Sequence, residues 1–136
     1  MSIVRVYADM CGDLFHAGHV NLLRQARALG DELVVGVMND ADMAAYKRPP
    51  VMTMAERIAV IAACRYVDRV VPDAPTRPSP GFLDSLGIDI VCHGNDYTER
   101  QIEEYYGAIR ATHRLVLLPY TGSISTSDII ARIRGG

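Results

Sequence analysis

Long apolar runs are missing from this chain, and no charged stretch leads into an apolar signal core. Neither a bilayer span nor a membrane partner is therefore expected, and the cytoplasm is the expected compartment. An excess of one charge is missing too. Fourteen Lys and Arg stand against sixteen Asp and Glu, a net charge of −2, which argues against a nucleic-acid surface, where a basic patch and a pI above about 9 are usual. Cysteine is scarce: Cys11, Cys64 and Cys92 are odd in number and far apart, which suits reduced thiols better than a disulfide framework. Cys64 and Cys92 read as small core residues. Cys11 lies near the site described next, yet no base or oxyanion pocket marks it as a nucleophile. Repeats and low-complexity tracts are absent.

What is present is alternation. The 136 residues are enough for one compact domain, expected over 1–136, and 49% apolar with 22% charged residues is ordinary for a globular chain. Buried strands are expected at Ile3 to Ala8, Glu32 to Met38, Tyr66 to Val71, Ile88 to His93 and Leu115 to Leu118. Between them, helical spacing covers Val20 to Leu29, Asp42 to Tyr46, Thr53 to about Arg65, Phe82 to Leu86, Thr98 to Thr112 and Ser125 to Arg134. Thr53 with Glu56 is a capping box, and Pro72 to Pro80 holds four of the seven prolines and reads as a loop. Strands and helices in strict turn predict an α/β fold, a Rossmann-like doubly wound five-stranded parallel sheet, with ligand beyond the strands' carboxyl ends where the strand order reverses.

His16-Ala17-Gly18-His19 falls where the first strand gives way to the first helix. The opening turn of a helix has N–H groups without partners and the positive end of the dipole, so an anion is stabilised there before any side chain contributes. Two imidazoles at i and i+3 share one side of that turn, and Gly18, lacking a Cβ, lets a phosphate chain or a neighbouring backbone come close between them. A metal is the weaker interpretation, because no Cys or carboxylate elsewhere repeats a ligand spacing. Other polar groups fall on the same expected edge. They are Lys47, the run His93-Gly94-Asn95-Asp96, and Gly122 to Ser127, a second helix start rich in hydroxyls.

These stretches resemble the cytidylyltransferase branch of the nucleotidyltransferase superfamily over nearly the whole chain. Asp13 through His19 resembles its HxGH signature, and Lys47-Arg48-Pro49-Pro50-Val51 with Glu56-Arg57 its lysine loop and E-R pair. Arg65-Tyr66-Val67-Asp68 and Ile124-Ser125-Thr126-Ser127 are similar to two further family motifs, and His93-Gly94-Asn95-Asp96, like the lysine loop, to the ethanolamine-phosphate type; the phosphoethanolamine, phosphocholine and glycerol-3-phosphate cytidylyltransferases are the branches the chain resembles most. The resemblance implies transfer of CMP from CTP to a small phosphomonoester or phosphonate with release of pyrophosphate. It also implies a Mg²⁺ carried by the triphosphate and not by a protein site, and a homodimer with its contact near Arg65 to Asp68. His16, His19 and Lys47 would be catalytic. Asp13, Gly18, Arg65, His93, Gly94, Asn95, Asp96, Ser125 and Thr126 would bind the nucleotide.

Four positions depart from the family pattern. Met10 stands for a glycine and Gly12 for an aromatic residue, Tyr120 precedes Thr121 where the family has Arg before Thr, and Ser123 replaces a glycine. Tyrosine cannot imitate a bidentate guanidinium clamp on phosphate. Tyr120 is accordingly grouped with Lys47, Arg48, Arg57 and Arg77 as the acceptor-binding set, and a phosphonate acceptor is expected as readily as a phosphate ester. An adenylyltransferase using ATP and a non-catalytic nucleotide-binding module are the alternatives.

Overall fold

Every expected strand and helix forms, most of them displaced by one to three residues. A computed structural model describes residues 2–135. Five parallel strands, β1 (Arg5–Met10), β2 (Glu32–Val37), β3 (Arg69–Pro72), β4 (Ile90–Gly94) and β5 (Leu115–Leu118), stand in the order β3-β2-β1-β4-β5. Six helices link or follow them: α1 (Ala17–Arg27), α2 (Asp40–Tyr46), α3 (Met54–Ala62), α4 (Pro80–Leu86), α5 (Glu99–Arg110) and α6 (Thr126–Ile133). The chain runs outward from β1 to β3 and then returns to lay β4 on the other side of β1. The switch point between β1 and β4 is where such a sheet opens a crevice at its carboxyl edge.

The strands' alternation divides the core. Val6, Ala8 and Met10 of β1 pack with Leu23 and Ala26 of α1 and Ile61 of α3, while Tyr7 faces Leu83 of α4 and Tyr106 and Ile109 of α5. Each large aliphatic side chain buried in these layers contributes about 1.5–3 kcal/mol by leaving water.

Two boundaries differ from expectation for physical reasons. β1 begins at Arg5 and runs through Asp9 and Met10, which pair with Gly36 and Val37, whereas Ile3 and Val4 stay 47% and 39% exposed. A strand ending at Ala8 underestimates the ladder because Asp9, though polar, points into the protein. β3 begins at Arg69 and not at Tyr66, because Cys64 to Val67 make a turn closed by the Val67 N–H on the Cys64 carbonyl at 3.0 Å, which also stops α3 short of Arg65. Pro72 can end β3 because that strand pairs only with β2 and its other edge is free of the ladder. Among the described residues no helix is long and apolar enough to cross a membrane.

Candidate functional site

The two histidines cap their own helix. His16 is the N-cap of α1, its Nδ1 accepting the Gly18 N–H at 3.0 Å, and His19 at the third helical position reaches back to accept the His16 N–H on Nδ1, also at 3.0 Å. This is a capping box built from imidazoles in place of the usual hydroxyl and carboxyl. Its consequence is chemical. A nitrogen that accepts carries no proton, so each neutral ring must hold its hydrogen on Nε2, and each presents one N–H donor in the wall of the hollow. Burial lowers the pKa of both rings. His19, which His16 also disfavours as a cation, is brought down to about 4, so both imidazoles are neutral donors at pH 7. Gly18 is required by this arrangement, since a Cβ there would lie 2.8 Å from Cε1 of His16 and 3.5 Å from the Ile124 carbonyl.

The second helix start is tied to the first. Thr126 donates its hydroxyl to the Asp13 carbonyl at 2.9 Å, and Ser125 caps α6 by accepting the Asp128 N–H at 3.1 Å. The amino ends of α1 and α6 therefore open on one hollow of about 310 Å³. Asp13 also grips the lysine loop: its carboxylate oxygens accept the Val51 and Met52 N–H groups at 2.8 and 2.9 Å. Lys47, at the end of α2, lines the hollow beside His19 and Thr126, and Arg48 donates to the Ser127 hydroxyl at 3.3 Å.

The floor of the hollow holds a carboxylate that the sequence did not single out. Asp9 is 5% exposed, accepts the Tyr106 hydroxyl at 2.5 Å on Oδ1, and has no partner on Oδ2. Burial raises its pKa, opposed by the Tyr106 hydrogen bond and the charge of His93. His93 donates Nδ1–H to the Gly94 carbonyl at 2.8 Å, where His16 and His19 accept on Nδ1, and its ring lies 4.1 Å from that of Tyr97 and 5.1 Å from that of Tyr106. A charged residue ending an apolar strand, followed far along the chain by a Tyr97, Tyr105 and Tyr106 cluster, was the available signal for this floor.

The hollow thus gathers His16, Gly18, His19, Lys47, His93, Gly94, Asp96, Tyr120, Ser125 and Thr126 of the expected site. Asp13 and Arg48 border its Lys47 side. Four expected residues are placed otherwise. Arg57 is fully buried, with three donors committed to the Met52 and Cys11 carbonyls and the Asp40 carboxylate, so it cannot reach an acceptor and instead fixes the lysine loop. Arg65 precedes β3, at the amino edge of the sheet, and lies over the Tyr66 ring at 5.6 Å, away from the hollow. Arg77 pairs with Glu104 and covers the Tyr105 ring at 5.1 Å, outside the hollow's lining. Asn95 accepts the Tyr120 N–H at 3.0 Å, joining two loops, and is not among the lining side chains.

A doubly wound sheet with an HxGH turn at the carboxyl end of its first strand, facing a second helix start, defines the class of nucleotidyltransferase folds. A family profile described as cytidylyltransferase-like matches residues 11–132, and the chain belongs to that family. It is 40% identical over 131 residues to an ethanolamine-phosphate cytidylyltransferase of Dictyostelium discoideum, covering 96% of this chain and 36% of that protein. It is 42% identical over 132 residues to the enzyme of that name from Mus musculus, covering 96% of this chain and 33% of that protein. It is 41% identical over 133 residues to choline-phosphate cytidylyltransferase A of Rattus norvegicus, covering 96% and 36%. The chain thus spans about a third of the length of these relatives. In fold it is similar to a lipopolysaccharide core biosynthesis protein from Thermoplasma volcanium, with a TM-score of 0.72 at 24% identity over 88% of this chain and 98% of that one.

Proposed function

We propose that the chain transfers CMP from CTP to a small phosphorylated acceptor and releases pyrophosphate. The observation that carries this is the Thr126 to Asp13 hydrogen bond, which holds the amino ends of α6 and α1 to one hollow, with the Nε2 donors of two neutral histidines in its wall. Two helix starts with donors beside them suit an extended chain of phosphates. The names of the relatives support CTP as the donor and a phosphate ester as the acceptor.

An acceptor oxyanion is already a competent nucleophile. It attacks the α-phosphorus, forming one O–P bond while the bond to the β-bridging oxygen breaks, and that oxygen leaves with the electron pair on pyrophosphate. Neither a general base nor a covalent enzyme intermediate is needed, only alignment and an answer to the charge that builds up. His16 and His19 donate to the α- and β-phosphate oxygens. The Lys47 ammonium answers charge on the α-phosphate or on the acceptor phosphate. Terminal phosphates take the backbone N–H groups opening α6 together with the Ser125 O–H, because the Thr126 hydroxyl is already spent on Asp13. A Mg²⁺ accompanying the triphosphate would supply positive charge against that building on the leaving pyrophosphate.

The acceptor's head we infer to be an ammonium. A buried carboxylate with a free oxygen, held by the Tyr106 hydroxyl in a hollow that Tyr97 also lines, has no salt-bridge partner among the described residues, and a cation placed there gains an ion pair beside aromatic rings. An aminoalkyl phosphate or its phosphonate analogue fits that description. A homodimer through 65–68, where Arg65 is exposed, completes the proposal, and sedimentation checks it. The deciding assay is pyrophosphate release with CTP or ATP across phosphoethanolamine, its phosphonate analogue, phosphocholine and glycerol 3-phosphate. Release with CTP, ammonium-bearing acceptors ahead of glycerol 3-phosphate, is expected. Turnover with ATP alone, or with no acceptor of the panel, overturns the proposal.

A further inference from the structure

We propose that the hydroxyl bridge between Tyr46 and Tyr97 is a strap that sets the position of Lys47 from the acceptor side of the hollow, making both tyrosines positioning residues. The Tyr46 and Tyr97 hydroxyl oxygens lie 2.9 Å apart. They belong to elements that enter the hollow from opposite sides of the switch point: Tyr46 ends α2, which follows β2, and Tyr97 lies in the turn after β4. Both line the hollow, so the bridge closes part of its wall.

The anchoring of α2 makes the bridge consequential. This helix is seven residues long and Met43 is its one buried residue. Its amino end is held through Asp40, which takes Nη2 of Arg57 at 2.6 Å. Its carboxyl end is held by Tyr46, through the hydroxyl bridge and an edge-on contact with the Tyr105 ring at 5.7 Å. Lys47 comes next, leaves helical geometry at φ −141° and ψ −64°, and keeps one backbone tie, its N–H on the Met43 carbonyl at 3.0 Å. On the far side the Tyr97 ring rests on His93, itself against the Tyr106 that holds Asp9. A group lodged on the floor thus touches the same ring whose hydroxyl holds the residue before Lys47. Two hydroxyls sharing one hydrogen bond also leave one O–H proton over, free to meet an acceptor oxygen.

The activity arm of the test rests on the cytidylyl-transfer proposal; the other arm does not. Tyr46→Phe, Tyr97→Phe and the double variant keep the rings and remove the bridge. Exchange of the Lys47 amide hydrogen in the ligand-free protein, read by NMR, is expected to rise about fivefold to tenfold in each single variant and no further in the double, since all three lose the same bond. Acceptor kcat/KM should fall by a similar factor in all three while the KM for CTP holds. Unchanged exchange at Lys47, additive effects in the double variant, or full acceptor kcat/KM in an active enzyme lacking the bridge would each overturn the strap. Should the unmodified protein turn over no acceptor, the cytidylyl proposal falls, and exchange at Lys47 decides the strap by itself.

Discussion

Nδ1 of His19 accepts the backbone N–H of His16 at 3.0 Å, so a side chain assigned to phosphate also closes the first turn of the helix that carries it. Capping and catalysis are therefore separable by choice of substitution. His16→Asn keeps a good N-cap and loses the Nε2 donor, and should retain its Tm while kcat drops on the order of 10²-fold. His16→Ala should show the same kcat loss with about 1 kcal/mol less stability in urea unfolding.

The neutral state of His19 gives a pH dependence of stability with a defined sign. Its folded pKa of about 4 lies below the ordinary value of 6.5, so between the two the unfolded chain binds more protons and stability falls as pH falls, levelling off below about 4. His19→Gln keeps a side-chain acceptor for the His16 N–H and cannot titrate. Thermal melts at pH 7.5 and 4.5 should therefore show the unmodified protein losing several degrees more than His19→Gln. The buried Asp9, with its raised pKa, is common to both proteins and cancels in the comparison.

Removing charge from the floor should alter acceptor use and leave nucleotide binding alone. Asp9→Asn can still accept the Tyr106 hydroxyl but offers an ammonium no counter-charge. The KM for an ammonium-bearing acceptor should rise by about 10²-fold, the scale of losing a buried charge pair's partner. Calorimetric CTP affinity should stay within twofold, and a rise in KM for glycerol 3-phosphate of the same size would contradict the assignment.

Arg57 should matter for folding more than for contact with substrate. Arg57→Ala deletes a fully buried side chain and its bonds to Cys11, Met52 and Asp40, and should cost about 3 kcal/mol in urea unfolding. Arg57→Lys, with one nitrogen for three, should recover only part of that loss.

Strand and helix order was legible in the sequence because buried β-branched runs such as Leu33-Val34-Val35 and caps such as Thr53 with Glu56 are local signals. The gathering of His19, Lys47 and Thr126 was legible as well, since a doubly wound sheet brings its carboxyl-end loops to one crevice. Arg57 was not, because a charge on a helix reads as solvent-facing until its neighbour four residues on, Ile61, is seen to be fully buried on the same stripe. Asp9 was hidden for a different reason: which helix covers each face of β1 is settled only when α5 folds back, and only then does Tyr106 meet it. The histidine cap escaped notice because imidazole is not a customary cap.

The alternation along β1 has a consequence for how such proteins diverge. Met10 looks toward the helix bearing the two histidines, whereas Asp9, one residue earlier, meets α5 from the reverse side. Under the proposed assignment, substitutions around Asp9 and Tyr106 would reshape what is accepted while the triphosphate's grip stays untouched, so a lineage would exchange one customer for another without rebuilding its engine.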